Sequence, residues 1–568
     1  MNNDKVLRIN ENIKYKKTVC IIYISLVLGL LFYDVLGGYI GLETNDDTFL
    51  AIIPSGWLGG YYPYTIHNNI IIGYFLAAIS RVLSMYNCTT LFYLGIMSVS
   101  FILLGIVIVE KKGAIIGGLF SFAFVATTWL SLLNRMNYSK SGALAIIVGC
   151  LTFAFSMEWD RTKNVRMLFE IIGLTLLIIG ALVRYKTDLA FIPYIVLLGV
   201  FFFAKHDKKN YKATFLAALL IIVFGWIFDY SVYHSDDYWK EYKEYNDIRE
   251  QLMDYGIPEY YGNEDIYQQL GLNENDYEML INWQYADEKV FSIDVLKALL
   301  RYRKSIRPHF FSVYTLKLVL RRFISNIQIF PQIGVASLLC ALAYFTTRGN
   351  KKKIIFLFCT MWLELVYLMY TGRTPERAVM IPVIATIPML IFFYIPDTNK
   401  MGLISLSILL ISIYCFFVCV LADNNGWKKN ELIIQKEVND IYEKLSHEED
   451  NLYVWHIFTA SRNLTYSQDL FSGYPYGQHK NSVFSGGWLV PSPLMAEISG
   501  RYGERNNVYK LLAFNPNVFY VTYTEDYING IGADSVEQYI RDHYNKDARA
   551  TLVEKVGIYS IYSFCENN

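Results

Sequence analysis

The sequence predicts a mainly α fold, a polytopic membrane bundle of about eleven spans, and three observations lead there. Uncharged apolar runs of membrane-spanning length recur along a chain of 568 residues that is 54% hydrophobic. Clusters of Lys and Arg fall between these runs in the alternation that the positive-inside bias produces. Two long polar regions, residues 231–310 and 422–568, interrupt the pattern, so the spans carry water-facing structure with them. A soluble chain of this length would divide into several domains and would not repeat such runs.

Taken in order, Lys5, Arg8, Lys14, Lys16 and Lys17 precede the first apolar run, Thr18–Ile40, and place the N-terminus in the cytoplasm. That run is too long for a signal peptide, lacks a convincing cleavage site, and reads as a retained span. The loop Glu43-Thr44-Asn45-Asp46-Asp47 then lies outside. Thr48–Ile53 reads as a short amphipathic helix; Ser55-Gly56-Trp57 and Gly59-Gly60-Tyr61-Tyr62-Pro63 reverse the chain, and His67-Asn68-Asn69 open a second helix. If Ile70–Ser84 crossed the membrane, Lys111 and Lys112 and every later basic loop would be external. If it lies along the outer surface, Leu91–Val109 is the second span, and the basic stretches 160–166, 205–209, 348–353 and 397–400 all become cytoplasmic. One choice corrects several loops together, so the second topology is adopted.

The spans are then 18–40, 90–109, 113–133, 142–157, 167–183, 189–204, 211–230, 331–347, 354–370, 378–395 and 401–421. Their odd number puts the C-terminus outside. Residues 1–421 form the membrane domain, including an external loop 41–88 with juxtamembrane helices and an external insert 231–310; residues 422–568 form a small external α/β domain. Between Ser231 and Leu300 the insert has sixteen Asp or Glu against five Lys or Arg, and it reads as a solvated helical insert. Phe311–Phe330, with Lys317, Arg321 and Arg322 among aliphatics, reads as a helix lying in the interface. In the last region Glu431–Ser446 is an amphipathic helix, Leu452–Phe458 and Val518–Tyr523 are buried strands, Ser535–Tyr544 is a helix, and Thr551–Val556 with Ile558–Phe564 is a hairpin.

Zero net charge and the lack of a basic, aromatic-laced stripe exclude nucleic acid as a partner. The eight cysteines are scattered, most of them inside apolar runs, and form neither a zinc motif nor a disulfide framework. No Gly-rich strand-to-helix fingerprint of a nucleotide site follows an apolar strand.

This topology gathers the polar residues at span ends on the external side. Asp46 and Asp47 follow the first span; Arg135, Asn137, Tyr138 and Lys140 follow the third; Arg184, Tyr185, Lys186 and Asp188 the fifth; Arg373, Glu376 and Arg377 the ninth. Arg offers forked donors and Lys a point charge, so Arg135, Lys140, Arg184, Lys186, Arg373 and Arg377 are candidate ligands for a phosphate or pyrophosphate headgroup. Pairing with nearby carboxylates or with ordinary lipid phosphates is the competing reading. The acidic pair likewise has two readings, caps of the helix Thr48–Ser55 or carboxylates facing a watery cavity. Glu364, inside a span, is expected to face the bundle interior.

A cytoplasmic N-terminus, one span and an external loop beginning Asp46-Asp47-Thr48-Phe49-Leu50-Ala51 and reaching Ser55-Gly56-Trp57 resemble the GT-C glycosyltransferases, in particular their protein O-mannosyltransferase and aminoarabinose-transferase branches. In that pattern the second acid is Glu, where this chain has Asp47; a residue separates Gly from Trp, where Gly56 and Trp57 are adjacent; and some relatives place a basic residue and proline where His67-Asn68 stands. The resemblance implies transfer of a sugar from a polyprenyl-phosphate carrier to a saccharide, lipid or protein acceptor of the cell envelope, at the outer face of the plasma membrane and with inversion. It places the general base at Asp46 and leaves Asp47 to cap its helix, bind acceptor hydroxyls or share a divalent metal, the need for which stays open. His67, Asn68 and Tyr138 are the candidate substrate contacts. The rival readings are a transporter or flippase for lipid-linked saccharides, and a non-catalytic binding subunit.

Overall fold

The computed structural model describes residues 3–565 other than 39, 44, 160, 201–208, 307–311, 421–426, 467–471 and 525–532. Its helices in the first half are α1 (Asn3–Gly37), α2 (Asn45–Ile52), α3 (Ile70–Val82), α4 (Cys88–Lys112), α5 (Ala114–Trp129), α6 (Tyr138–Glu158), α7 (Lys163–Val183), α8 (Tyr185–Leu198) and α9 (Lys209–His234). The insert supplies α10 (Asp237–Tyr255), α11 (Glu264–Gln269), α12 (Glu274–Ile281) and α13 (Ile293–Ile306). There follow α14 (Val313–Ile329), α15 (Pro331–Thr346), α16 (Lys351–Thr371), α17 (Glu376–Phe393) and α18 (Met401–Val420).

Eight helices among the described residues are long and apolar enough to cross a membrane: α1, α4, α5 with its π-helical extension Leu130–Asn134, α6, α7, α9, α16 and α17. The three remaining expected spans also fall on helices. Two hold shorter apolar helices, Leu189–Leu198 and Gly402–Tyr414, and the third is α15, which meets α14 at a 90° bend. That bend lets amphipathic α14 run across the direction of the spans, as an interfacial helix requires. Helix α3 has 13 residues, about 20 Å of rise against a hydrocarbon core of about 30 Å, and packs beside α4, α7 and α9.

The described basic loops meet at one end of the bundle, and the expected basic residues 205–208 lie outside the described residues. Lys16 and Arg161 both pair with Glu110, at 3.8 and 3.2 Å, and Lys111 pairs with Glu158. Lys112 donates to the carbonyls of Phe392 and Tyr394, and Arg348 pairs with Asp397 at 2.9 Å. The 41–88 loop, the insert and the C-terminal region pack together instead.

The C-terminal region runs α19 (Trp427–Ser446), β1 (Leu452–Trp455), α20 (Ile457–Tyr466), β2 (Ser482–Phe484), α21 (Pro493–Gly500), α22 (Val508–Phe514), β3 (Val518–Tyr523), α23 (Asp534–His543), β4 (Thr551–Val556) and β5 (Tyr559–Ser563). The sheet order is β2-β1-β3-β5-β4, with β1 parallel to β2 and β3 and the expected hairpin β4–β5 antiparallel on the edge. Strand β2 is three residues long, too short for periodicity to reveal.

The insert is helical as expected but is more than a solvated excursion. Its aromatic residues Trp239, Tyr242, Tyr245, Tyr267 and Tyr285 are buried. Asp287, fully buried, accepts hydrogen bonds from Asn507 Nδ2 (3.0 Å), Tyr539 (2.9 Å) and Tyr544. Asp276 bonds His543 at 2.7 Å. Carboxylates that read as a solvated face are therefore partly consumed in docking the insert onto α22 and α23.

Helices α6 and α7 cross at glycines. A Cβ on Gly149 would lie 2.6 Å from the Gly173 carbonyl oxygen, and one on Gly180 would lie 2.7 Å from that of Gly142. Small residues let the two backbones touch, which fixes the start of α6 against the residue after α7, Arg184. Replacing Gly180 by Val should therefore cost about 1–3 kcal/mol by overpacking and displace Arg184. Thermal unfolding of the purified protein checks this, and an unchanged midpoint would show that the crossing tolerates separation.

Candidate functional site

The start of α6 is the anchor of the site. The 41–43 segment forms a parallel bridge with it: Met136 N–H donates to the Gly41 carbonyl (2.8 Å) and Glu43 N–H to that of Met136 (2.7 Å). Asp47, fully buried, accepts from Asn137 Nδ2 (2.8 Å) and from the Tyr138 N–H (2.9 Å). A carboxylate on the N-terminal amides of a helix is favoured by both hydrogen bonding and the helix dipole. Asp47 thus caps a helix, but it is α6 rather than its own α2. Its neighbour Asp46 points elsewhere and meets Arg377 at 3.3 Å.

Lys140 is fully buried and held by Glu43 (2.7 Å), Glu376 (3.3 Å) and the Ser131 carbonyl; Arg135 pairs with the same Glu376 at 3.5 Å. Two glutamates converge on one lysine, so these cations tie the ends of α5, α6 and α17 together. Both were expected as phosphate ligands, and neither lines the cavities described next. Asn68 is also turned away, donating to the Tyr93 hydroxyl at 2.8 Å. The side chain of Lys186 lies outside the described residues.

The other expected residues come together around a cavity of about 310 Å³. Asp46, His67, Tyr138, Arg184, Arg373 and Arg377 line it, joined by Arg249, Glu250, Asp254 and Trp283 of the insert and by Ile457, Phe458 and Trp488 of the C-terminal region. Arg184 donates to His67 Nδ1 at 3.2 Å, which leaves the ring proton on Nε2, and its guanidinium lies 4.8 Å over the Tyr138 ring. His67 stacks on Tyr138 and meets Trp488 edge-on at 4.7 Å. Arg373 pairs with Asp254 (2.6 Å) and Glu250 (3.4 Å). Burial pushes the Asp254 carboxyl up from its ordinary value while Arg373 pulls the other way. Burial would lower the Arg373 guanidinium, but Asp254 and Glu250 hold it above the usual arginine value. Trp283 adopts a left-handed backbone, φ 59°, beneath Arg249.

A second space of about 580 Å³ adjoins the first through a shared wall of Arg184, Arg373 and Arg377. Beyond that wall its lining is mostly apolar, from α8 (Leu189, Ala190, Pro193), α16 (Leu363, Leu368) and α17 (Ile381, Pro382), with Glu364 among them. Leu189 and Leu363 are exposed at its rim. A polar cavity and an apolar groove thus meet at three arginines, an arrangement that fits an amphiphile with an anionic head. Among the described residues no cluster of three or more His, Cys, Asp or Glu side chains is arranged to hold a metal ion.

Sequence reasoning missed Arg249, Glu250, Asp254 and Trp283. The one signal was a helix-compatible run, Tyr238–Tyr255, whose inner tyrosines Tyr242 and Tyr245 are buried.

No protein-family description matches the chain, and no curated protein matches it in sequence. Among solved structures it is similar to ArnT from Cupriavidus metallidurans in the apo state, with a TM-score of 0.43 and 9% identity over 96% of this chain and 98% of that one. It is similar to the same protein bound to undecaprenyl phosphate, with a TM-score of 0.40 and 10% identity over the same shares. An oligosaccharyltransferase from Archaeoglobus fulgidus in the apo form is matched at a TM-score of 0.43 and 11% identity, over 98% of this chain and 74% of that one.

The two members of the acidic pair should separate by experiment. Asp47→Ala leaves the Asn137 amide and the Tyr138 N–H without this buried acceptor, at about 1–3 kcal/mol for each orphaned group, so the thermal midpoint should fall. Asp46→Asn keeps the side chain's size and loses only the charge facing Arg377, so the midpoint should fall less than with Asp47→Ala. Equal losses at both positions would overturn the distinction.

Proposed function

We propose that the protein is a membrane glycosyltransferase that moves a sugar from a polyprenyl-phosphate carrier to an envelope acceptor on the external face. The observation that carries this is the wall of three arginines shared by a polar cavity with a carboxylate and an apolar groove between membrane helices. The isoprenoid chain lies in the groove, the phosphate meets Arg184, Arg373 and Arg377, and the sugar projects into the cavity beside Asp46.

In the proposed reaction an acceptor hydroxyl gives its proton to Asp46 as its oxygen bonds to the anomeric carbon. The bond from that carbon to the phosphate oxygen breaks, and the electron pair leaves with polyprenyl phosphate. A single displacement of this kind inverts the anomeric centre. The carboxylate supplies general-base assistance, and the arginines stabilise the charge that grows on the departing phosphate. Before the donor arrives, Arg377 pairs with Asp46 and Arg373 with Asp254 and Glu250. A phosphate competing for these guanidiniums frees the carboxylates, so donor binding also readies the base.

Asp46→Asn should reduce turnover by about a hundredfold or more while leaving binding of polyprenyl phosphate largely intact. Arg373→Ala with Arg377→Ala should weaken that binding and remove on the order of 2–4 kcal/mol of transition-state stabilisation for each donor lost. Mass spectrometry of envelope polymers in cells lacking the gene, complemented by each variant, gives the readout. Full complementation by Asp46→Asn would end its assignment as base.

The external placement has its own check. A cysteine in place of Lys240 in the insert should react with an impermeant thiol reagent added to intact cells, whereas one in place of Lys351 should react only after lysis. The reverse pattern would turn the site to the cytoplasm and remove the proposed acceptor.

A further inference from the structure

A third cavity, of about 990 Å³, lies between α19, the 472–480 segment and the turn that follows α2. Helix α2 carries Asp46 at its start, runs eight residues or about 12 Å, and is buried from Asp47 to Ile53. The turn beyond it presents Trp57 to this cavity. The two spaces are thus held at a fixed separation by one rigid element.

We infer that the third cavity is a saccharide-binding subsite that holds a glycan chain; that this glycan is the acceptor rests on the glycosyltransferase reading. Gln435, Asn439 and Glu443 line it at i, i+4 and i+8 of α19, one face of a helix. The opposite face buries Val438, Ile441 and Leu445, so the polar stripe is held rigidly towards the cavity. Planar amides and carboxylates offer paired donor and acceptor positions, which suit the adjacent hydroxyls of a sugar. Tyr476, exposed and with its hydroxyl donating to the Gly59 carbonyl at 2.7 Å, supplies ring surface for the C–H face of a pyranose, and Trp57, buried against His479 with its indole N–H donating to Gln478 Oε1 at 2.8 Å, supports that wall from behind.

Charge decides between ligands. The lining holds two acids, Glu443 and Glu449, against Lys480 and Arg501, so it is formally neutral. Both cations are already engaged, Lys480 by Glu449 at 2.8 Å and Arg501 by Glu497 at 2.9 Å. The arginine-rich cavity at Asp46 suits an anion; this one suits a neutral polyhydroxylated chain. Its volume is at the upper end of the roughly 300–1,000 Å³ of small-molecule sites, which favours several sugars over one.

The test uses full-length protein in detergent and glycans released by mild acid from the envelope of the source cells, fractionated into monosaccharides and longer chains. Saturation-transfer NMR should detect the longer chains. Affinity should fall about tenfold or more when Gln435, Asn439 and Glu443 are all changed to Ala, removing several hydrogen bonds with residues that keep the helix intact. No binding of longer chains, or equal binding by the triple variant, overturns the inference. Arg373→Ala protein separates the two readings: it should lose polyprenyl phosphate yet keep the glycan. Turnover undisturbed by Asp46→Asn would remove the catalytic reading and leave the glycan titration to stand or fall by itself.

Discussion

The site depends on the N-terminus of α6. Four exposed amides at a helix start demand acceptors when they are buried, and here Asp47 meets that demand from a different segment, through Asn137 and the Tyr138 N–H. The bond does more than satisfy a donor. It ties the loop that follows the first span to the helix that follows the third, and its geometry turns the preceding residue, Asp46, towards Arg377. Lys140, in the first turn of α6, repeats the tie to Glu43 and extends it to Glu376. Breaking a buried pair of this kind typically costs about 3–5 kcal/mol, so these charges define a joint rather than a binding surface.

From that joint the arginines follow. The glycine crossing of α6 on α7 brings Arg184 over Tyr138, and Glu376 positions the start of α17, where Arg377 follows immediately. Arg373 alone is set from outside the bundle, by Glu250 and Asp254 of α10. Two cations held by the membrane helices and a third held by the insert make the wall between cavity and groove responsive to the insert as well as to the bilayer.

Much of this was legible in the sequence because membrane insertion makes charge informative: each basic loop constrains all the others. The end at which Lys16, Glu110, Arg161 and Asp397 meet follows from that bias, as does the gathering of Asp46, Arg184, Arg373 and Arg377. What the sequence could not reveal was which ion pairs line the cavity. Arg135 and Lys140 carry the same signal as Arg373, but their partners Glu43 and Glu376 hold them away from the cavity, whereas the partners of Arg373 line it. The insert was opaque for a related reason. An acid-rich helix looks solvated until its donors are known, and the side chains that dock Asp276 and Asp287, His543 and Tyr539, lie more than 200 residues away.

The ion pairs of the site bear on the order of binding in the proposed reaction. With Arg377 on Asp46 and Arg373 on Asp254 and Glu250, the carboxylate proposed as base is directed at a guanidinium rather than at an acceptor hydroxyl. An acceptor entering first would meet a carboxylate already satisfied. A phosphate entering first takes over the guanidiniums, and the freed carboxylates then face the space that the acceptor fills. In the proposed reaction the arginines therefore act twice: they hold the base in check until the donor is present, and they take the charge of the leaving group once the bond breaks.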